Sequence, residues 1–362
     1  MLAAGGTGGH LFPAFALAQE LGRRAIAVDL VTDMRGDRYG TSFPARAVYR
    51  VPSATFAGRS IFGAGRTAWM LVRGIAASLK LMNEVKPGVV VGFGGYPAFP
   101  PLVAARLRKI PTALHEQNAV LGRANRALAN HVSVVATSFE STKFLAGRSK
   151  SRVTGNPVRD QVVDWATQSY QPPAGRGPFS LLVFGGSQGA RYFSDTVPAA
   201  LATLPDEIRA RLFIVQQCRE EDLARVEEAY GQAGIRAHLA AFFANLPEEM
   251  AKAHLVIGRS GASTVAELAV MGRPAILVPL PHAIDNDQLN NARRLAEVGG
   301  AWCLEQKGLT PEALAEVISR LLAAPETLAR AAAAAKAQGR PDAVARLADL
   351  VEELMGRRPG SA

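Results

Sequence analysis

Three stretches of the chain share one pattern: a short apolar run, a glycine-rich turn, then a helix-forming segment. They are MLAAGGTGGHLFPAFALAQEL at 1–21, VVVGFGGYPAFPPLVAARL at 89–107 and LLVFGGSQGARYFSDTVPAAL at 181–201. Unbroken apolar, β-branched runs are what strands buried on both faces of a parallel sheet look like, and parallel strands need helical crossovers. Further runs stand at 25–31, 112–116, 132–137, 211–217, 255–260 and 275–280. Strands alternating with helices predict an α/β chain with doubly wound parallel sheets. A length of 362 residues suggests two domains. The Pro- and Gly-rich stretch at 155–178 reads as the connection between them. The expected division is a first domain over 1–157, a linker over 158–178 and a second domain over 179–341. A helix at about 342–356 is placed to pack back on the first domain. Two Rossmann-like halves would then face each other across a cleft, with ligands at the carboxyl ends of the strands.

Charge divides between the halves. Residues 1–180 hold 22 Lys and Arg against 9 Asp and Glu, a net +13, and the remainder holds 19 against 22, a net −3. The basic half suits an anionic partner: nucleic acid, phospholipid headgroups or a diphosphate. No nucleic-acid recognition module is visible and the second half is acidic, which argues against a nucleic-acid binder. Two cysteines, Cys218 and Cys303, exclude a disulfide framework and fit a reducing compartment. The six histidines show no metal-ligand spacing, so no metal is expected. No signal peptide and no membrane-spanning run is visible.

Glycine after a buried strand lets backbone N–H groups approach a phosphate at a helix N-terminus. None of the three loops completes the dinucleotide fingerprint, and no G-K-[ST] follows any of them, so a dehydrogenase or P-loop enzyme is disfavoured. Asp29, about 20 residues past the first loop, is the one remaining feature of an NAD site. In the first loop a histidine, His10, closes the glycine run. A neutral imidazole beside an anion-binding turn is a good general base for a hydroxyl.

The segments GGTGGHLFP, GFGGYPAFPP, HEQNAVLGRANR, GNPVR, GGSQGA, RSGASTVAEL and VPLPHAIDNDQLNNA occur in that order. In this the chain resembles the family 28 glycosyltransferases that add N-acetylglucosamine (GlcNAc) in peptidoglycan synthesis, over nearly its whole length. The resemblance implies a GT-B fold and inverting transfer of GlcNAc from UDP-GlcNAc to the 4-hydroxyl of MurNAc on lipid I, giving lipid II. It implies no cofactor. It makes His10 the base, with Glu116 in reserve, and assigns the acceptor diphosphate to Gly8, Gly9, His10, Gly94, Gly95 and Tyr96. The donor would be met by Thr7, Gly8, Gly9, Asn118, Arg159, Ser187, Gln188, Arg259, Ser260 and Gln288. Glu267 would accept both ribose hydroxyls, and Phe242 and Phe243 would line the uracil loop. Family members often carry two adjacent glutamines where this chain has Asp287 and Gln288. Only four residues precede Gly5, fewer than family members usually carry, so either the first strand is short or the start codon is placed late.

A helix is predicted over 65–87, ending at Pro87. At 100° per residue Leu71, Val72, Ile75, Leu79, Met82 and Val85 share a core face. Arg66, Trp69, Met70, Arg73, Lys80 and Leu81 share the opposite one, and Arg106, Arg108 and Lys109 add charge nearby. Apolar side chains mixed with cations suit an anionic membrane surface. The expectation is a cytoplasmic protein, peripheral on the inner face of the plasma membrane, alongside other cell-wall synthesis proteins. Two other readings stand: another GT-B transferase with a lipid acceptor, such as a diacylglycerol glucosyltransferase, and a non-catalytic nucleotide-sugar-binding scaffold.

Overall fold

A computed structural model of the chain describes residues 1–5, 8–33, 43–53, 61–147 and 149–356, without the side chains of 61–64, 187–190 and 284. The chain forms two compact units, Met1–Arg159 with Pro341–Ala362, and Asp160–Arg340.

Among the described residues the first unit is built on seven parallel strands: β1 (Leu2–Ala3), β2 (Asp29–Thr32), β3 (Ala47–Arg50), β4 (Val90–Gly92), β5 (Thr112–Glu116), β6 (Val134–Thr137) and β7 (Ser151–Val153). Their order is 3-2-1-4-5-6-7. Its helices are α1 (Gly8–Arg23), α2 (Ile61–Val85), α3 (Phe99–Leu107) and α4 (Arg123–Leu128). The second unit carries β8 (Phe179–Phe184), β9 (Leu212–Gln217), β10 (Arg236–Ala240), β11 (Leu255–Gly258), β12 (Ala275–Leu277) and β13 (Ala301–Cys303), in the order 10-9-8-11-12-13. Around it lie α5 (Asp160–Trp165), α6 (Gly186–Ala202), α7 (Asp206–Arg209), α8 (Leu223–Gln232), α9 (Leu246–Lys252), α10 (Ala262–Met271), α11 (Asp287–Glu297), α12 (Pro311–Leu322) and α13 (Pro325–Ala337). Helix α14 (Ala343–Leu354) closes the chain in the first unit.

Both sheets reverse direction next to their first strand. Loops leaving β1 and β4 diverge at one such point, and loops leaving β8 and β11 at the other, where open α/β sheets bind ligands. Strand β1 is two residues long yet central, pairing with β2 through Leu2↔Leu30 and with β4 through Leu2↔Val91. Its neighbours alternate faces: Leu2 and Ala4 enter one core, Met1 and Ala3 the other. Helix α14 supplies Leu347, Leu350 and Val351 to the core that α1 lines with Leu17 and Leu21. Arg24, the residue after α1, ties the two helices, donating to Asp349 and Glu352.

From Asp160 onward the 158–178 segment is built into the second unit. Helix α5 packs on α9 and α10, the Tyr170 hydroxyl donates to the His254 carbonyl, and Arg273 donates to the Gln168 carbonyl. Asp29 offers nothing to a ribose, because its buried carboxylate takes two bonds from Arg46.

Helix α2 is rotated relative to the sequence expectation. Its buried face is Thr67, Leu71, Gly74, Ser78, Leu81 and Met82, so Leu81 does not face a membrane, and Val72, expected in the core, is 64% exposed. Close packing decides the rotation. A Cβ on Gly74 would lie 2.2 Å from the Pro52 carbonyl oxygen and 3.0 Å from Pro100 of α3, so small residues, not the most apolar ones, face the neighbour. Trp69 is 60% exposed with the Arg73 guanidinium 4.7 Å from its ring centre, and Arg66 and Lys80 are exposed beside them. Met70 is half-buried. Arg106, Arg108 and Lys109 are exposed at the end of α3. Among the described residues no helix is long and apolar enough to cross a membrane.

Candidate active site

Three loops of the first unit converge at its switch point: the turn from β1 into α1, the Gly94–Gly95 turn after β4, and Gln117–Asn118 after β5. His10 lies in the first turn of α1. Gly94 (φ +87°) and Gly95 (φ +70°) hold left-handed backbone that favours glycine. A Cβ on Gly94 would lie 3.3 Å from His10 Cε1, and one on Gly95 would lie 3.3 Å from His10 Cδ2. The glycines therefore make room for the imidazole as well as for an anion. Gly8, Gly9 and Tyr96 stand at the same end of the sheet, and Thr7 lies outside the described residues.

The HEQN segment separates into distinct tasks. Glu116, expected as the reserve base, is buried, and both its oxygens are engaged. Oε1 accepts from the Asn118 N–H at 3.1 Å and Asn118 Nδ2 at 3.1 Å, and Oε2 from the Gly122 N–H at 2.8 Å and Asn125 Nδ2 at 2.8 Å. Four donors use the carboxylate's acceptor capacity, so Glu116 ties the loop to the start of α4. Asn118 is half-buried and is held by that bond. Asn125, which the sequence reading did not single out, is buried with its Oδ1 unpaired, and its amide would lie 3.2 Å from a Cβ on Gly94.

His115 and Gln117 were also missed. Gln117 Oε1 lies 3.0 Å from His10 Nδ1, and Gln117 Nε2 donates to His115 Nδ1 at 2.9 Å and to the His115 carbonyl at 3.0 Å. His115 Nε2 reaches the Gly155 carbonyl at 2.9 Å. Burial pushes the His115 imidazole down to about 4, so it is neutral near pH 7. Only the alternation of polar types at a strand end could have signalled this chain of bonds. The GNPVR segment closes the unit, with the Arg159 guanidinium 5.2 Å from the ring centre of Phe12, two residues after His10.

In the second unit the loop from β8 reaches α6 through Gly186 (φ +65°); the side chains of Ser187 and Gln188 lie outside the described residues. The loop from β11 carries Arg259, Ser260 and Gly261 into α10, whose first N–H groups have no side-chain cap. Two residues of this loop depart from expectation. Arg259 is turned into the protein, donating to the Val278 and Pro279 carbonyls and to Gln306 Oε1, over the rings of Tyr192 and Phe193. Burial lowers its guanidinium to about 10. It braces the β12 loop and is not presented to a phosphate. The Ser260 hydroxyl is likewise buried and donates to the Gln288 carbonyl at 2.8 Å, so any anion contact here falls to the backbone. Glu267 is buried on α10. Gln288 Oε1 accepts from the Leu280 N–H at 3.0 Å, which turns its Nε2 into the part that can meet a sugar. Phe242 is 76% exposed, whereas Phe243 is buried edge-on against His238 with ring centres 5.3 Å apart, so only Phe242 presents a face to a base.

Residues 1–137 match the model of the glycosyltransferase family 28 N-terminal domain, and residues 180–347 match that of the family 28 C-terminal domain. The chain is 54% identical over 357 residues to a protein of Methylobacterium nodulans, covering 98% of this chain and 96% of that one. It is 50% identical over 358 residues to one of Mesorhizobium japonicum, covering 99% and 96%. Both relatives are named UDP-N-acetylglucosamine--N-acetylmuramyl-(pentapeptide) pyrophosphoryl-undecaprenol N-acetylglucosamine transferase. The crystal structure of Acinetobacter baumannii MurG superimposes with a TM-score of 0.78 at 29% identity over 98% of each chain. A UDP-GlcNAc 2-epimerase from Neisseria meningitidis bound to UDP-GlcNAc superimposes with a TM-score of 0.68 at 16% identity, over 97% of this chain and 99% of that one, a likeness of fold alone.

Proposed function

The chain belongs to glycosyltransferase family 28, and on that footing we infer that it moves GlcNAc from UDP-GlcNAc to the 4-hydroxyl of MurNAc in undecaprenyl-diphospho-MurNAc-pentapeptide, lipid I, to give lipid II. The fold is GT-B, two Rossmann-like units with parallel sheets. His10 Nε2 takes the hydroxyl proton as the oxygen attacks C1 of GlcNAc. The C1–O bond to the diphosphate breaks, UDP leaves with the electron pair, and C1 inverts. The observation that carries this reading is His10 at the mouth of the first unit's switch point, against a turn of two glycines. The diphosphate of the acceptor lies along the Gly8–Gly9 and Gly94–Gly95 backbone beside Tyr96, where N–H groups and the α1 dipole favour an anion. Asn118 and Gln288 read the donor sugar, Arg159 meets the UDP phosphates, the N-terminus of α10 holds a phosphate through its backbone, Glu267 accepts the ribose hydroxyls, and Phe242 covers uracil.

A polyprenyl acceptor lives in a membrane. We place this protein on the cytoplasmic face of the plasma membrane, bound peripherally through Arg66, Trp69, Met70, Arg73 and Lys80 of α2 and the Arg106–Lys109 cations. An exposed indole with a cation against it suits the lipid interface. The reading is tested by incubating the protein with UDP-GlcNAc and a soluble lipid I analogue. A β-linked GlcNAc on the MurNAc 4-oxygen, identified by NMR, is expected. Transfer to diacylglycerol in its place would return the other lipid-acceptor reading, and binding of UDP-GlcNAc without a product would return the scaffold.

A further inference from the structure

The bonds around Gln117 fix where the proton on His10 sits. A backbone carbonyl only accepts, so the amide atom 3.0 Å from the His115 carbonyl oxygen is nitrogen. The same reasoning at the Gly155 carbonyl puts a proton on His115 Nε2 and, in the neutral ring, leaves Nδ1 as an acceptor for the second Gln117 N–H. With both amide hydrogens committed to His115, the atom Gln117 turns to His10 is its carbonyl oxygen. His10 Nδ1 must then carry the proton and Nε2 the lone pair. The two ring carbons flanking Nε2, Cε1 and Cδ2, are the atoms that face Gly94 and Gly95, so the basic edge of the imidazole lies along the glycine turn.

We propose that Gln117, itself oriented by His115, is a positioning residue for the transfer: it holds His10 in the Nδ1–H tautomer with the Nε2 lone pair toward the acceptor. The proposal rests on His10 as the base. Gln117 plays the part that a carboxylate plays behind the histidine of a hydrolase triad, but without a charge. The amide of Gln117 also allows for turnover. After Nε2 takes the proton, Nδ1–H still donates to the same oxygen, so nothing in the chain of bonds rearranges.

Long-range 1H–15N NMR on the full chain labelled at histidine reads the tautomer directly, with the His10 signal assigned by its loss in His10→Gln. In the wild type, with the ring neutral, Nδ1 should be pyrrole-like and Nε2 pyridine-like. Gln117→Met removes the acceptor. The His10 signals should then shift to the Nε2–H form or a mixture, and kcat should fall about tenfold or more with KM for UDP-GlcNAc within about twofold. Gln117→Glu supplies an acceptor again and should restore the Nδ1–H signals and part of kcat. An Nε2–H wild type, a Gln117→Met protein that keeps Nδ1–H, or an unchanged kcat would overturn the proposal. If Gln117→Met does not fold, the wild-type and Gln117→Glu spectra still decide. Full transfer by His10→Ala would overturn the base reading instead, and the tautomer would be read apart from it.

Discussion

Gly95 and His10 fit each other with no space to spare: a Cβ on the glycine would stand 3.3 Å from Cδ2 of the ring. Gly95→Ala should therefore do two things. The left-handed φ of +70° costs a non-glycine residue about 1–2 kcal/mol of stability. The new methyl also displaces the imidazole, so kcat should fall about 100-fold, because a shift near 1 Å at a reacting group costs that much. Denaturant unfolding and initial rates measure the two separately.

Glu116→Gln separates scaffold from base. With four N–H donors around the carboxylate, the glutamine must set its own NH2 against donors. The variant should lose about 1–3 kcal/mol of stability. A Glu116→Gln protein with an unchanged midpoint but no activity would make Glu116 the base.

His115 makes the first unit acid-sensitive. Its folded value of about 4 lies below the 6.5 of an ordinary histidine, so the unfolded chain binds the proton first as pH falls. Stability should be full above pH 6.5 and drop by roughly 3 kcal/mol between 6.5 and 4, at 1.36 kcal/mol per unit. His115→Asn should flatten that slope, as measured by urea midpoints across the range.

On the donor side, Glu267→Ala should raise KM for UDP-GlcNAc about tenfold or more and abolish the preference for UDP over 2′-deoxy-UDP as a competitor. Equal discrimination in the variant would remove the ribose role.

The two faces of α2 predict opposite phenotypes. Trp69→Ser with Arg73→Glu should weaken sedimentation with anionic vesicles about tenfold and leave the fold intact, since a cation near such a surface contributes about 1 kcal/mol. Leu81→Ala should cost about 2–4 kcal/mol of stability and leave vesicle binding unchanged, because Leu81 is buried.

The central strands of both sheets were legible because strands covered on both faces are continuously apolar. The four strands that went unread, β3, β7, β10 and β13, are the four sheet edges. Edge strands are covered less completely, as the alternating burial of Ala47–Arg50 and the exposed Ser151 and Arg152 show, so they lack the long apolar runs of the central strands. The rotation of α2 was hidden because Gly74 and Ser78 carry no hydrophobic signal. At the site, residue types identified the loops but not the direction of side chains. Arg259 and Ser260 look like anion ligands in sequence, yet nearby carbonyl oxygens claim both. Conversely, Gln117 and His115 sit inside a quoted motif, and their role depends on distances that no spacing encodes.

The direct test of His10 as the base is transfer of radiolabelled GlcNAc to a soluble lipid I analogue by wild type and His10→Ala, with UDP binding measured on both. Labelled product from the wild type, lost by about 100-fold or more in His10→Ala while UDP affinity holds, is the predicted result. Equal transfer by the two proteins would contradict it.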